Sequence, residues 1–227
     1  MELNADFSKR TVVHGSTVAW KASPMPGVDR RMLDRVGDEV ARATTIVRYA
    51  PGSKFSSHVH TGGEEFFVLD GIFQDEHGDF PAGSYIRNPP QSSHTPRSKV
   101  GCTIFVKLWQ FDSDDRTQVR IDTNKNAFVG DVARPGVEVM PLFKDANEYV
   151  RLENWAPDQA IHLDSNAGME ILVLDGSFHE SGEDFSAHSW LRLPKQSSGE
   201  AKVGSVGARV WIKSGHLLVE PTAPTLS

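Results

Sequence analysis

Residues 51–71 read PGSKFSSHVHTGGEEFFVLDG, and residues 88–94 read NPPQSSH. Both stretches return 105 positions later, as APDQAIHLDSNAGMEILVLDG over residues 156–176 and LPKQSSG over residues 193–199. The copies share the letters VLDG and QSS at the same spacing. Self-similarity at a fixed distance indicates that one structural unit is used twice. The chain is therefore predicted to contain two related units.

The two copies differ in the side chains that bind metal ions. Histidine and glutamate occupy four positions of the first copy, and the second copy keeps none of them. The four residues are His58, His60, Glu64 and His94, and their counterparts are Leu163, Ser165, Met169 and Gly199. We therefore predict one unit with a metal site and a second unit that keeps only the scaffold.

The length of the chain fits this division. A chain of 227 residues holds two domains of roughly 110 residues. Residues 1–120 are the predicted metal-binding domain, and residues 127–227 are the predicted degenerate domain without metal ligands. The polar stretch Ser113–Asn126 is the predicted linker between them.

Short apolar stretches with alternating polarity, cut by Gly, Pro, Asp and Ser, dominate the sequence. Many short strands of this kind predict an all-β sandwich or barrel. One short helix is expected over Asp29–Arg42, and turns are expected at Asp70-Gly71, His77-Gly78-Asp79 and Asp175-Gly176. The candidate strands are Ala43–Tyr49, Lys54–His60, Glu64–Leu69, Gly83–Arg87 and Cys102–Trp109, with echoes at Tyr149–Trp155, Met169–Leu174, Ser189–Leu193 and Ala208–Lys213.

The composition argues against several classes of protein. Twenty-four basic and thirty acidic residues give a net charge of −6, without a dense Lys/Arg stripe, so nucleic acid and membranes are not expected partners. The sequence shows neither a long apolar run nor a signal peptide. The single cysteine, Cys102, excludes an intramolecular disulfide and a cysteine-based zinc module. We expect a cytoplasmic protein.

The spacing of the four candidate ligands suits a metal centre. His58 and His60 are two residues apart, so a strand places both rings on one face, roughly 7 Å apart along the chain. A turn at residues 61–63 could bring Glu64 to the same face, and His94 arrives from a distant strand. Three neutral imidazoles and one carboxylate suit Zn, Fe(II), Mn, Ni or Cu(II) and leave one or two positions of the ion open. Phe66 and Val68 share the parity of Glu64 and are expected to line the pocket.

These positions resemble the cupin pattern G-x5-H-x-H-x3,4-E-x6-G followed by G-x5-P-x-G-x2-H. The matching residues are Gly52, His58, His60, Glu64 and Gly71 for the first part and Gly83, Pro89 and His94 for the second, with Gln91 in place of the second glycine. The letters around His60–Glu65 are similar to those of the ChrR-like cupins, which include the C-terminal modules of zinc-binding anti-sigma factors and small metal-dependent dioxygenases.

The resemblance implies a bicupin, with two tandem double-stranded β-helix (jelly-roll) barrels. It also implies one divalent transition-metal ion held by three histidines and one glutamate, with zinc favoured and iron, manganese or nickel as alternatives. Anti-sigma factors of this type begin with a helical sigma-binding domain, whereas the N-terminal half here is itself cupin-like, so a sigma factor is not an expected partner. Glu64 also departs from the glutamate-free, three-histidine sites of β-diketone-cleaving dioxygenases in the wider group.

Several alternatives stay open at the level of the sequence. Glu65 could replace Glu64 as a ligand, although only Glu64 has the six-residue spacing to the next glycine of the pattern. His162 and Asp164 could form a residual site in the second copy or an ordinary surface pair. Cys102 aligns with an alanine, which favours a small packed residue over a nucleophile.

Three hypotheses for the function follow. The metal could bind or sense a small molecule or an oxidant, it could serve a dioxygenase or another small-molecule enzyme, or it could be purely structural. The first hypothesis is favoured, and whether the protein is an enzyme is left open. A small-molecule ligand and a homodimer are the expected partners, since exposed edge strands and a modest core favour burial against a second copy.

Overall fold

The computed structural model of the chain describes residues 1–38 and 40–224. This part of the chain is all-β, and its only helical turns are the 3-10 turns Gly15–Thr17 and Thr123–Lys125. No helix within it is long and apolar enough to cross a membrane. The fold class predicted from the sequence is therefore confirmed.

The chain folds into two compact units. The first unit, here called the first barrel, contains Met1–Ala5, Ala19–Lys125 and the described residues 222–224. The second barrel contains Asp6–Val18 and Asn126–Pro221. A short N-terminal segment thus belongs to the unit that is otherwise formed by the C-terminal half.

The strands range from two residues to the 18 residues of Ser197–Ser214. In chain order they are β1 (Glu2–Leu3), β2 (Thr11–His14), β3 (Lys21–Ala22), β4 (Val28–Gly37), β5 (Ala41–Tyr49), β6 (Ser53–Lys54), β7 (His58–His60), β8 (Glu64–Asp75), β9 (Gly78–Pro81), β10 (Ser84–Asn88), β11 (Ser92–His94), β12 (Arg97–Ser98), β13 (Cys102–Leu108), β14 (Val119–Asp122), β15 (Val129–Gly130), β16 (Val137–Lys144), β17 (Tyr149–Trp155), β18 (Ala160–Ser165), β19 (Met169–Glu180), β20 (Glu183–Ser186), β21 (Ser189–Leu193) and β22 (Ser197–Ser214).

The first barrel is built on one antiparallel sheet with the strand order β1-β4-β5-β13-β8-β10-β14. Strands β9 and β12 also pair with β8, and β7 pairs with β11 in a separate two-stranded sheet. Inward-facing side chains of β8, β13 and β5 form the core. Val68, Ile104 and Val47 are cross-strand neighbours in it and are at most 7% exposed. Burial of each such side chain stabilises the barrel by roughly 1.5–3 kcal/mol.

The second barrel repeats this arrangement with the strand order β15-β16-β17-β22-β19-β21-β2. Its edge strand β2 comes from the N-terminal segment and pairs with β21, with Val12 opposite Leu191. Strand β18 pairs with β22 along its whole length. The predicted counterparts Leu163 and Met169 are both part of the apolar core. The repeat in the sequence is thus a repeat of strands.

The helix expected over Asp29–Arg42 does not form, and that prediction was wrong. The segment contains β4, which pairs with β5, and the start of β5 itself. A register shift between Met32 and Asp34 places Leu33, fully buried, at a bulge. A bulge breaks the two-residue alternation of a strand. The apolar residues therefore lack the regular strand period that would have identified β4.

Three further expectations need correction. The predicted strand Lys54–His60 is interrupted, because only Ser53–Lys54 and His58–His60 are strand. The predicted linker Ser113–Asn126 belongs to the first barrel as far as Lys125, and β14 within it pairs with β10. The pair Asp70-Gly71, where a turn was expected, lies inside the continuous strand β8, directly after a bulge at Leu69.

The geometry of Gly71 explains this last difference. Gly71 has φ of 71°, and a Cβ atom there would lie 2.1 Å from the carbonyl oxygen of Gly101. Only glycine adopts this backbone at that close approach without strain. Gly176 has the same φ and the same 2.1 Å approach to Gly207, and there too the strand continues through a bulge. The Asp-Gly pair is therefore a bend signal in both barrels.

Candidate metal centre

The three predicted histidines lie together on one pair of antiparallel strands of the first barrel. This ligand sheet consists of β7 and β11, in which His58 is opposite His94 and Ser92 is opposite His60. The ring centroids are 4.9 Å apart for His58 and His60, 5.1 Å for His58 and His94, and 4.6 Å for His60 and His94. One ligand nitrogen from each ring lies within 4.8 Å of the others. A single ion bound by all three rings would lie about 2.1 Å from each of these nitrogens.

Glu64 completes the set from the first residue of β8. Its Oε2 atom lies 3.5 Å from Nε2 of His60 and 3.6 Å from Nε2 of His94. The carboxylate therefore faces the same point as the two imidazoles. The four predicted residues come together in space, although they belong to three strands.

The burial of this cluster fits a bound cation. His60, Glu64 and His94 are 7%, 8% and 2% exposed, whereas His58 is exposed. Among the described residues, Nε2 of His60 and Nε2 of His94 have no hydrogen-bond partner. A buried polar atom without a partner costs roughly 1–3 kcal/mol. A metal ion would satisfy both nitrogens, and the exposed side at His58 would leave positions of the ion accessible.

A buried carboxylate that the sequence analysis missed supports His94. Oδ2 of Asp75 lies 3.3 Å from Nδ1 of His94, and the backbone N–H of His77 donates to Oδ1 of Asp75 over 2.7 Å. Burial lowers the pKa of His94, but the hydrogen bond to Asp75 and the charge of Glu64 outweigh burial and raise it. Burial raises the pKa of Asp75, but its hydrogen bonds with His94 and His77 outweigh burial and lower it. Asp75 is therefore a carboxylate that holds the His94 ring.

The other ligands also have partners behind them. Nδ1 of His58 lies 3.1 Å from the carbonyl oxygen of Ser56, which leaves Nε2 for a metal. The amide of Asn88 donates to Oε2 of Glu64 over 3.4 Å, and the amide of Gln118 donates to Asn88 over 3.4 Å. Partners of this kind fix the orientation of metal ligands. Burial lowers the pKa of His60 despite the charge of Glu64, which favours a neutral imidazole.

Two glycines allow the chain to turn between His60 and Glu64. A Cβ atom on Gly62 would lie 2.0 Å from the ring of Trp109, and one on Gly63 would lie 2.4 Å from the ring of Phe111. The turn therefore runs directly beneath two aromatic rings. Larger residues at either position would displace these rings and move the adjacent ligands.

The departure from the cupin pattern at Gln91 is also visible in the backbone. Gln91 has φ of 72° in the turn before β11, the second strand of the ligand sheet. This left-handed region favours glycine, which is the residue that the pattern has there. Gln196 has φ of 59° at the equivalent position of the second barrel. Both copies therefore keep the turn with a non-glycine residue, and the pairing of β7 with β11 is intact.

Phe73, an aromatic residue of the apolar core, lies beside the histidines, and its core cluster contains the two residues predicted to line the pocket, Phe66 and Val68. Phe66 and Val68 are buried in one cluster with Phe73, whose ring lies 4.6 Å from that of Phe66 and 5.6 Å from that of His94. Tyr49 packs against Phe73 at 6.0 Å. Burial, with the charges of Glu64 and Cys102, raises the pKa of Tyr49, so its phenol stays protonated.

The structure shows the surroundings of the alternatives that the sequence left open. Glu65 points away from the centre and accepts a hydrogen bond from Tyr85 over 2.5 Å. His162 and Asp164 are both exposed on β18. Cys102 is 3% exposed, and burial raises the pKa of its thiol to about 11, which suits a packed, unreactive residue. Among the described residues, the three histidines of the first barrel are the one group of three or more side chains close enough together to hold a metal ion.

The comparison with known families matches this geometry. Residues 8–112 match the model of the ChrR cupin-like domain. The first half of the chain carries a ChrR cupin-like domain. The match confirms the resemblance seen in the sequence, and it contains all four candidate ligands as well as Asp75 and Asn88. No curated protein is significantly similar to the chain in sequence.

Solved structures of cupins resemble the whole chain and not only its ChrR cupin-like half. A candidate dioxygenase from Nostoc punctiforme is 16% identical, with a TM-score of 0.76 over 97% of this chain and 87% of that chain. A bacterial pirin from Escherichia coli in complex with nickel(II) is 14% identical, with a TM-score of 0.63 over 91% and 99%. An oxalate decarboxylase from Lactobacillus farciminis is 11% identical, with a TM-score of 0.65 over 92% and 87%. At these identities the likeness shows the two-barrel fold.

Proposed function

We propose that the first barrel binds one divalent transition-metal ion through His58, His60, Glu64 and His94. The observation that carries this proposal is the convergence of buried Nε2 atoms and the Glu64 carboxylate on one point, without another partner for the nitrogens among the described residues. Three neutral imidazoles and one carboxylate leave a divalent ion with one net positive charge. Zinc is favoured, with iron, manganese and nickel as alternatives.

Metal analysis tests this proposal directly. We expect about one ion per chain in the wild type and almost none in His60→Ala, because the variant loses a ligand that the barrel buries. Ser165→Ala is the matched control, since Ser165 is the buried counterpart of His60 in the second barrel. Equal metal content in the wild type and His60→Ala would remove the centre.

We further propose that the centre binds or senses a small molecule or an oxidant. When bound, the ion would supply a Lewis-acidic centre with one or two exchangeable positions. Support comes from the exposed side at His58 and the apolar wall of Phe66, Val68 and Phe73, which favour a small, partly apolar ligand. After anaerobic loading with Fe(II), we expect small diketones, thiols or peroxides to perturb the metal spectrum. If none does, and the apoprotein only melts at a lower temperature, the metal is structural.

The same accessible face supports a second candidate, a metal-dependent dioxygenase. Dioxygen and a chelating substrate could reach the ion from the side of His58, and the protonated phenol of Tyr49 adds a hydrogen-bond donor to the aromatic wall. Oxygen consumption in the presence of a ligand found by the spectral screen separates the candidates, because a sensor binds that ligand without turnover.

The assembly and the location of the protein stay predictions. We propose a homodimer in the cytoplasm, with a small molecule, and neither nucleic acid nor a membrane, as the ligand. Light scattering coupled to size-exclusion chromatography tests the dimer, and a monodisperse monomer would contradict it.

A further inference from the structure

Asp75 is placed to decide which nitrogen of His94 carries the proton. It is 3% exposed at the end of β8, and each of its carboxylate oxygens accepts one hydrogen bond. Oδ1 accepts from the backbone N–H of His77 over 2.7 Å, and Oδ2 lies 3.3 Å from Nδ1 of His94. A carboxylate only accepts hydrogen bonds, so Nδ1 of His94 is the donor.

This contact has a consequence at the other side of the ring. A neutral imidazole carries one proton, so a proton on Nδ1 leaves the lone pair on Nε2. Nε2 of His94 is the atom that faces Oε2 of Glu64 at 3.6 Å. We propose that Asp75 is the positioning residue that selects the Nδ1–H tautomer of His94 and thereby presents its Nε2 lone pair to the metal. The inference rests on the metal binding proposed above.

The second barrel shows what the same strand end does without a histidine. Glu180 ends β19 there, and its carboxylate is held by Arg10 over 2.6 Å and by Ser181 over 2.6 Å. Gly199 takes the place of the histidine, and a Cβ atom on it would lie 3.1 Å from Oε1 of Glu180. The acid of the second barrel is thus neutralised by an arginine, whereas Asp75 has an imidazole as its side-chain partner.

A single substitution of similar shape, Asp75→Asn, should change the tautomer of His94 without changing the fold. In Asp75→Asn the side chain has one acceptor oxygen for two donors, the N–H of His77 and Nδ1–H of His94. The backbone N–H cannot change its role, so we expect the amide oxygen to stay with His77 and the amide NH2 to face His94. Nδ1 must then accept, and the proton moves to Nε2, where it blocks metal ligation.

The experiment compares the wild type, Asp75→Asn, Asp75→Glu and Glu180→Gln. Long-range proton–nitrogen NMR of the apoproteins reads the tautomer of His94, and competition with a chelator measures the affinity for zinc. We expect Asp75→Asn to show the Nε2–H tautomer and to bind zinc about 10–100-fold more weakly. Asp75→Glu keeps both acceptor oxygens, and the second barrel accommodates glutamate here, so it should keep the Nδ1–H tautomer. Glu180→Gln should match the wild type.

Other results would contradict either the role of Asp75 or the metal binding itself. If Asp75→Asn keeps both the tautomer and the affinity, Asp75 is not a positioning residue. If it loses affinity while keeping the tautomer, or if Asp75→Glu fails to keep it, Asp75 acts only through the general fold and the inference is overturned. If the wild type itself binds no zinc or other transition metal, the proposed function and this inference fall together.

Discussion

The pair of strands that holds the histidines in the first barrel is interrupted, and its counterpart in the second barrel is continuous. Strands β6, β7, β11 and β12 are short pieces of two or three residues in the first barrel. Their counterparts are the unbroken β18 and the 18-residue β22. The cross-strand pair His58–His94 nevertheless corresponds to the pair Leu163–Gly199. The register is the same, and only the local regularity of the strands differs.

One inserted residue accounts for the interruption. Three residues separate Lys54 from His58 on one strand, whereas two residues separate their partners His94 and Arg97 on the other strand. The corresponding pairs of the second barrel enclose two residues on each strand. Pro96 also lacks an N–H for the ladder, so the longer strand bulges opposite it. Because bulges redirect side chains, the histidines of the first barrel depend on this irregularity as well as on their own identity.

The side chains that contact the candidate ligands also differ between the two copies. Asn88, which donates to Glu64, corresponds to Leu193. The counterpart of Asp75 is Glu180, which has an arginine as its partner. The two copies therefore differ both at the four candidate ligand positions and at the hydrogen-bond partners of those positions.

Introducing the four candidate ligands into the second barrel should have the largest effect of the substitutions that compare the two barrels. We expect the variant with Leu163→His, Ser165→His, Met169→Glu and Gly199→His to lose roughly 3–5 kcal/mol of unfolding free energy, because polar groups replace core side chains without partners. It should not bind a second metal ion. Chemical denaturation and metal analysis check the two expectations.

A six-substitution variant controls this experiment. Adding Glu180→Asp and Leu193→Asn supplies the missing partners and should recover part of the metal binding. A second, tightly bound ion in the four-ligand variant would contradict the expectation, since the partners would then be dispensable.

The two glycines at the bulges test how similar the scaffolds are. Gly71→Ala and Gly176→Ala each force alanine into a left-handed backbone at 2.1 Å from a carbonyl oxygen. The backbone conformation alone costs roughly 1–3 kcal/mol. We expect both variants to be destabilised by similar amounts in thermal unfolding of the apoprotein. A large difference between them would show that the barrels no longer share this bend.

The second barrel buries a charged cluster at a position where the first barrel has an apolar side chain. Glu153 is fully buried and accepts hydrogen bonds from Arg134 over 2.8 Å, Arg151 over 2.7 Å and Trp155 over 2.7 Å, at a position where the first barrel has Val47. Burial raises the pKa of Glu153, but these partners outweigh burial and lower it.

The acid sensitivity of the second barrel follows from this pKa. A carboxyl group whose pKa is lowered by folding stabilises the protein above its unfolded pKa, and that contribution is lost as the pH falls through the folded pKa. Glu153→Gln should cost roughly 1–3 kcal/mol at neutral pH and progressively less in acid. Urea unfolding at several pH values measures this, and a difference that does not depend on pH would argue against an ionised Glu153.

The sequence predicts the candidate ligands and most strands because both depend on patterns of residues that are close together in the chain. The period-two alternation and the spacing of His58, His60, Glu64 and His94 needed no tertiary information. Strand β4 escaped because its bulge at Leu33 removes the alternation on which the prediction relies.

The partners of the ligands could not be found in the same way. Asp75 is 19 residues from His94, and nothing local links an aspartate at a strand end to that imidazole. Asn88 left a weak signal, since it is polar only in the copy that keeps the ligands. A comparison of the copies for positions of this kind would have selected Asn88 but not Asp75, whose counterpart is also acidic.

The aromatic ring over the turn between the ligands gives the protein an intrinsic optical reporter. Trp109 lies against Gly62. Gly62 is two residues from His60 and two residues from Glu64 in the sequence. Paramagnetic ions such as Co(II) and Cu(II) quench indole fluorescence at short range, whereas Zn(II) does not. The chain has four other tryptophans, so the signal of Trp109 is the part of the emission that changes with the metal, or the difference from a Trp109→Phe variant. That part would distinguish occupation by different metals and would follow exchange of one ion for another in real time.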